Sequence, residues 1–513
     1  MKIDDERANS GRPVLALAGA SGFVGQALLD AFAATYPMVG LTRAAKRTGD
    51  PRATWRRCDL YSLLEVERAL EGANVAIYLV HSMSSSARLT QANFADLDLI
   101  LADNFARACA SRGITRILYV GGIVSKDDQL SRHLQSRLEV EQTLASHGAQ
   151  VTALRAGLIV GKGGSSLNLM LRLIRRLPFM VCPRWTQTMT QPIALGDVTR
   201  AVRLSLEDET LVGHFDIGGP DTMSYQEMME RTAKVLGLPR TMVKAPVFSM
   251  DLSKLWVSLV GGTPLALVGP LLESLRHDVL VSANRLQDQL EPEAKGFEAA
   301  LRSAIGVGAP ESTPSELRRE PKGTPSQLAR TTLAPTTFPQ KVRHPSSSTP
   351  PALVRALARK TVRSVQRLPR PCKRSADWIA GEYVRWLPHF LWPLLTVKGS
   401  PERRCRFYLL GTTLLLLELT FSADRSQPDR TLFYVTGGSL ARVRHPPRGR
   451  FEFRQALNSE TIVAAVHDFE SRLPWFIYKN TQAIVHLIVM RGFSRHLQKL
   501  SSKEHPPGNT EEA

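Results

Sequence analysis

The segment Val14-Leu-Ala-Leu-Ala-Gly-Ala-Ser-Gly-Phe-Val-Gly25 decides the fold of the first half of the chain. A short apolar run meets three glycines spaced three apart, Gly19, Gly22 and Gly25, and then passes into a helical pattern over 26–35. Gly19 permits a sharp turn, Gly22 lets backbone N–H groups come close to a pyrophosphate, and Gly25 lets the new helix pack against the strand. An anion then rests on the helix N-terminus, where unpaired N–H groups and the helix dipole favour negative charge. The reading is a dinucleotide cradle, and the competing one is a purely structural turn.

Working outward, residues 38–42 read as a second strand, followed at once by Arg43 and then Lys46 and Arg47. An acid near this point binds the ribose 2′-hydroxyl of NAD, whereas a cation accommodates a 2′-phosphate, so NADP(H) is favoured and NAD(H) stays open. Strands at 55–60, 75–80, 117–121 and 151–156 alternate with helical spacing at 62–71, 89–112 and 129–147. This alternation predicts the α/β class, a Rossmann-type doubly wound parallel sheet with right-handed crossovers. Ligands in such sheets bind at the carboxyl ends of the strands. Here those ends are 19–25, Arg43, Asp59, 79–83, 121–125 (Gly121 to Ser125) and 155–160.

Several motifs together resemble one family. Gly19-Ala-Ser-Gly22, Cys58-Asp-Leu60, Tyr78-Leu-Val-His-Ser-Met83, Tyr119-Val-Gly-Gly122 and Arg155-Ala-Gly-Leu-Ile-Val-Gly161 are similar to the atypical extended short-chain dehydrogenase/reductases. The likeness is to the bacterial NAD(P)H-binding group with an extra C-terminal domain, and more distantly to the NAD(P)H-holding accessory subunit of respiratory complex I. Gln191-Pro-Ile-Ala-Leu-Gly-Asp-Val198 and Phe215-Asp-Ile-Gly-Gly-Pro220 look like the landmarks of its substrate lobe. The resemblance covers roughly 12–284. It implies that Gly19, Ala20, Ser21, Gly22, Phe23, Val24 and Gly25 wrap the pyrophosphate. It also implies that Asp59 and Leu60 approach the adenine and that Val80, His81 and Ser82 lie beside the nicotinamide ribose.

The pattern breaks at the catalytic position. Typical members carry a Tyr and, four residues later on the same helix face, a Lys. Here the helix reads Ser131-Arg-His-Leu-Gln-Ser-Arg137, with His133 and Arg137 in those places, and Gly121-Gly122 replaces the usual serine, leaving Ser125 as the nearest hydroxyl. His133 is a candidate acid, since a histidine of ordinary pKa keeps some imidazolium near neutrality, and Arg137 a candidate clamp on ribose hydroxyls. Equally, His133 reads as a surface histidine. Two functions follow: an NADP-preferring oxidoreductase acting on an apolar carbonyl or quinone-like substrate, or a catalytically silent NAD(P)H-binding protein with a structural, assembly or redox-sensing role.

The 513 residues exceed one compact core, and 43% hydrophobic with 22% charged residues excludes a disordered chain. The expected organisation is a tail at 1–11, a nucleotide-binding domain at 12–304 with a small substrate lobe at about 163–300, and a flexible linker at 305–351. A C-terminal α+β domain at 352–500, loosely like a helix-grip fold, and a tail at 501–513 complete it. The linker reading rests on Ser, Thr, Pro and Arg without periodicity. In the lobe, Phe179, Met180, Trp185, Met189 and Ile193 form an apolar run that reads either as the lining for a greasy substrate or as core. Further helices are expected at 247–275, and strands at 406–418, 431–436, 450–454 and 462–469 before a helix at about 478–495.

The net charge of +19 favours acidic partners. Cations crowd 341–374, where no Asp or Glu occurs, so this segment is either a solvated linker and helix face or a peripheral contact with an anionic membrane. No nucleic-acid module is recognisable, and five scattered cysteines without a CxxC pair argue against a metal site. The N-terminus, Met-Lys-Ile-Asp-Asp-Glu-Arg, is acidic where a signal peptide is apolar. The expectation is a cytoplasmic protein, peripheral at most at the inner face of the membrane, with room for a protein complex.

Overall fold

The computed structural model describes residues 11–43, 50–81, 89–124, 131–245, 275–306, 361–400, 403–443, 448–457 and 461–504. Expectations for Ser82, Ser125, most of the linker, the helices at 247–275 and the two tails lie outside those residues, apart from 305–306, 501–504 and position 11.

The apolar run becomes β1 (Leu15–Ala18), fully buried because both faces of a parallel sheet are covered by helices. The glycine turn leads into α1 (Phe23–Phe32). Then follow β2 (Met38–Thr42), β3 (Thr54–Arg57), α2 (Leu63–Ala69), β4 (Val75–Tyr78), a short β5 (Leu89–Gln91), α3 (Phe94–Ser111), β6 (Arg116–Gly122), α4 (Arg132–Ala145) and β7 (Gln150–Ala156). With β8 (Gly213–Ile217) the sheet order is β8-β7-β6-β4-β1-β2-β3, parallel throughout. The order reverses beside β1, which places the crevice at the glycine turn. Leu28, Leu29 and Phe32 of α1 pack on one face with Val198 and Val202, and Ile100 and Phe105 of α3 pack on the other with Val140 of α4.

Among the described residues the small lobe is built on α5 (Ser165–Arg176), α7 (Tyr225–Val235) and α8 (Phe297–Ile305), while α6 (Leu195–Glu207) packs back on α1, and α8 ends on the left-handed cap Gly306. Its interior is rich in methionine, with Met170, Met180, Met223, Met228 and Met229 buried together. The run expected to line a substrate site is divided. Met180 belongs to this interior, Ile193 to the core under α1, and Phe179 is exposed. Trp185 and Met189 are half-buried.

The second domain opens with β9 (Val362–Pro369) and α9 (Ala376–Phe390). It continues through β10 (Leu395–Gly399), β11 (Arg404–Leu409), β12 (Leu415–Phe421), β13 (Arg430–Gly437), β14 (Arg450–Gln455) and β15 (Thr461–Phe469), then α10 (Trp475–Asn480) and α11 (Gln482–Glu504). The apolar run at 406–418 is a hairpin, not one strand, because Gly411 has φ of +60° and turns it. The strands run β10-β11-β12-β13-β14-β15-β9, antiparallel, with the first strand of the domain beside the last. That order, with a long terminal helix against one face, is the helix-grip topology. Tyr383 of α9 and Phe493 of α11 meet Phe451 and Phe453 on that face.

The two domains share a sheet edge. The helix expected from residue 89 begins only at Phe94, where Asn93 accepts a hydrogen bond from the Asp96 N–H at 2.8 Å. The residues before it form β5, which pairs in parallel with Val362–Ser364 of β9. The outer face of the second sheet lies on α3, with Val365, Val463 and Ala465 joining the core there. The molecule therefore stacks helices, parallel sheet, helices, antiparallel sheet and helices in turn.

Candidate functional site

The turn after β1 has the form of a phosphate cradle. Gly19 sits at φ +90°, a left-handed conformation that side chains rarely adopt, and a Cβ there would lie 3.1 Å from Leu79 Cβ. A Cβ on Gly25 would run into the Gly19 carbonyl oxygen and lie 2.8 Å from Ala20 Cα, so only glycine lets α1 start this close to the turn. Gly22 caps α1 without a side-chain hydrogen bond, and its own N–H goes to the Gly19 carbonyl at 2.8 Å. The first N–H groups of the helix, those of Phe23, Val24 and Gly25, have no partner within it and point to the mouth of the crevice. Ala20 is buried, Ser21 exposed. These residues fit a pyrophosphate.

Arg43 stands exposed at the carboxyl end of β2. Past β3, the Asp59 N–H donates to Glu65 Oε2 at 3.0 Å, Tyr61 N–H donates to Asp59 Oδ1 at 3.2 Å, and Asp59 Oδ2 accepts from Arg363 Nη2 at 2.6 Å. Arg363 comes from β9 of the second domain and lies 3.9 Å above the Tyr61 ring. Leu60 packs in the core while its carbonyl accepts from the Asn104 side chain at 2.8 Å. The residues expected beside adenine are thus organised by the second domain.

At the ends of β4 and β6 the structure gathers His81, Arg137 and, one helical turn earlier on α4, His133. The Arg137 guanidinium is buried, contacts His81 Nδ1 and lies 3.6 Å from Asp98 Oδ2 on α3. His81 is exposed at the end of β4; loss of water, then the Arg137 cation, hold its pKa well below the ordinary histidine value. His133 is half-buried, and loss of water together with the Arg137 cation brings it down to about 4. This corrects the expectation of a partly charged His133: at neutral pH it is a neutral imidazole. Arg137 likewise is no free clamp, because Asp98 and His81 already fix its position.

Gly121 has a physical reason for replacing a serine. A Cβ there would come within 2.6 Å of the Tyr119 ring, which occupies that space. Burial pushes the Tyr119 phenol up to about 12 despite the Arg137 cation, so it gives up no proton at neutral pH. Val80 is half-buried at the end of β4, following Leu79, whose N–H donates to the Ala18 carbonyl at 3.0 Å.

Sequence reasoning missed Asp98 and Arg363. Asp98 carried a signal, since acids at 96, 98 and 103 interrupt an otherwise apolar helix and all three are buried. Arg363 carried none, lying 304 residues from its partner. Of the cations in 341–374, Arg363 and Arg367 pair with carboxylates of the first domain, and 341–360 lie outside the described residues. Arg363 is 3% exposed, and Arg367 holds Asp96 at 2.5 Å and Glu139 at 2.6 Å. His467 and Asp468 serve different partners, Glu452 at 3.0 Å and Arg450 at 2.9 Å.

Comparison with known proteins agrees with this geometry. Residues 19–169 match a family described as NAD(P)H-binding. The auxiliary protein GraX of Staphylococcus aureus is 28% identical over 123 residues, 24% of this chain and 40% of that protein. The mitochondrial NADH dehydrogenase [ubiquinone] 1 alpha subcomplex subunit 9 of Arabidopsis thaliana is 23% identical over 273 residues, 49% of this chain and 66% of that protein. The chain therefore spans less than two thirds of either relative. Among solved structures, a nucleoside-diphosphate-sugar epimerase from Staphylococcus aureus is 14% identical, with a TM-score of 0.47 over 57% of this chain and 100% of that one. Residues 19–169, from the glycine turn into α5, are an NAD(P)H-binding domain.

Proposed function

We propose that the protein is an NADP(H)-preferring reductase whose acceptor is an apolar carbonyl or quinone-like compound. The observation that carries this reading is the cluster at the ends of β4 and β6: a fixed cation, Arg137, between two imidazoles that are neutral at pH 7. When bound, the nicotinamide supplies a hydride. The cradle at Gly19–Gly25 holds the phosphates, Arg43 faces the 2′-phosphate, and His81 and Arg137 border the nicotinamide end. Lacking a proton donor of the Tyr–Lys kind, the site loses about 10²–10⁴-fold on substrates that need one. An acceptor that spreads its own negative charge, as a quinone does, tolerates that loss, and the Arg137 cation favours the charge.

Rapid mixing of the NADPH-loaded protein with a panel of quinones and enones tests the proposal. Loss of nicotinamide absorbance within one turnover is expected with at least one quinone, and slower loss with simple ketones. No loss with any acceptor sinks it. A second reading, a resident nucleotide with no turnover, is favoured by Arg363 on Asp59, which ties the adenine side to the second domain. Under that reading NADPH protects the β9 region from proteolysis while no acceptor oxidises it.

A further inference from the structure

Between its sheet and α11 the second domain holds an open cavity of about 260 Å³. Tyr383, Phe407, Leu419, Phe451 and Val489 line its body. Its polar part is composite. His486 and Ser364 are hydrogen-bonded to each other at 3.0 Å, and Gln482 of α11 joins Gln91, which the nucleotide-binding domain contributes on β5. Gln91 donates its amide to the Ala483 carbonyl at 3.0 Å. The side-chain oxygens of Gln91 and Gln482 are buried and accept nothing from the described residues. Two desolvated acceptors in an apolar cavity are unfavourable unless a donor reaches them.

The rim of this cavity is apolar and exposed. Of sixteen large apolar side chains that stand exposed among the described residues, eleven fall in 390–414 and 476–488. These segments meet at the cavity, where Leu391 and Leu395 from one and Val485 from the other line its wall. Beside them Trp392 (72% exposed), Leu394 (64%) and Phe476 (77%) project outward. The Leu410 N–H donates to the Leu394 carbonyl at 3.1 Å, bringing the hairpin tip into the same collar. The Phe390 ring lies against α11 at Gly492, within 2.6 Å of where a Cβ would stand.

Behind the collar, α11 presents Arg491, Arg495 and Lys499, exposed, four residues apart and without an acidic partner among the described residues. Glu382, which packs on that helix, is taken by His496 and Arg385, each at 2.8 Å. Aromatic and aliphatic tips backed by unpaired cations complement a surface that is apolar below and phosphate-bearing above. A second copy of this chain would bring like cations together. No helix of the described residues is long and apolar enough to cross a membrane, so the contact is interfacial.

We propose that this collar docks on an anionic lipid bilayer, and that the cavity behind it is loaded from the bilayer with an apolar molecule whose hydroxyl or N–H reaches Gln91 and Gln482. The inference stands whether or not the nucleotide is turned over.

Flotation of the full-length protein tests it, with vesicles of phosphatidylcholine alone and of phosphatidylcholine mixed with phosphatidylglycerol. The protein floats with the mixed vesicles, several-fold less at high salt or as R491E/R495E, and roughly tenfold less as W392S/F476S. Far-ultraviolet circular dichroism and NADPH affinity stay unchanged, since all four side chains are on the surface. A protein that stays unbound with both vesicles, or variants that float like the parent, overturn the proposal. So does a dimer that W392S/F476S converts to monomer. For the cavity, binding of a fluorescent long-chain alcohol is expected to fall roughly tenfold in V485W, which plugs the rim, while flotation persists; unchanged binding overturns that half.

Discussion

Arginines are buried in two regions of this molecule, and their surroundings differ. At the seam between the domains, Arg107, Arg430 and Arg454 meet Asp103, Asp429 and Glu452. Arg454 lies 2.6 Å from Asp103 and 2.9 Å from Glu452, Arg430 2.7 Å from Glu452, and Arg107 2.8 Å from Asp103 and 2.5 Å from Asp429. Three cations face three anions. Burial raises the Asp103 and Glu452 carboxyls, but the arginines outweigh it and hold both below the usual range. At the nucleotide site Arg137 has, among the described residues, one carboxylate within ion-pair distance, Asp98 at 3.6 Å, and two imidazoles that loss of water and then its own charge keep neutral. A saturated network closes an interface, whereas an under-compensated cation at a strand end leaves electrostatic capacity for a ligand that brings negative charge.

The largest expected effect lies at the seam. Arg454→Met leaves Asp103 and Glu452 buried with too few cations, and denaturant titration is expected to show a loss of about 3–5 kcal/mol that NADPH does not restore. A loss under 1 kcal/mol would mean that water reaches the seam. Acid comes next, because several groups act together. His133 and His486 sit near 4 in the fold against 6.5 as ordinary histidines, so the unfolded chain takes protons first and stability falls as pH drops from about 6.5 to about 4. Below about 4 the depressed carboxyls of Asp103 and Glu452 continue the loss, since their contribution is complete only above the unfolded carboxylate range. Urea midpoints measured across that range check the sign, and a flat profile would contradict it.

At the cradle, Gly25→Val places carbon against the Gly19 carbonyl and is expected to weaken NADPH binding on the order of 100-fold, about 3 kcal/mol, by calorimetry. Asp98→Asn removes the carboxylate that pairs with Arg137 and is expected to destabilise by about 1–3 kcal/mol. Saturating NADPH narrows that deficit, in contrast to Arg454→Met, and an equal response of both variants to NADPH would erase the distinction between the two regions. Smallest is Arg43→Glu, which under the proposed role of Arg43 is expected to weaken NADPH binding relative to NADH by about tenfold, or about 1.4 kcal/mol, by calorimetry.

Local patterns in the chain were legible where neighbours in sequence are neighbours in space. The strand, glycine turn and helix at 14–35, and the alternation that builds the parallel sheet, depend on backbone sterics and periodic burial within a few residues. The start of α3 was misplaced because β5 exists only through pairing with β9, some 270 residues on. The hairpin at 404–421 was read as one strand because apolar residues continue through its turn. The apolar run in the lobe showed that burial occurs but not which of two cores takes each side chain.

The same division holds for the site. By itself the sequence determined a glycine turn shaped as a pyrophosphate cradle and a cation after β2, since both follow from residue type and spacing, while the resemblance to a family put His133 and Arg137 in the places where Tyr and Lys are usual. Only the tertiary structure decided that His133 is uncharged, that Arg137 is fixed by Asp98, and that the buried Arg363 and the half-buried Arg367 pair with Asp59, Asp96 and Glu139. The reason is electrostatic: a side chain's charge and freedom depend on the desolvation and counter-charges around it, and those come from elements far away along the chain.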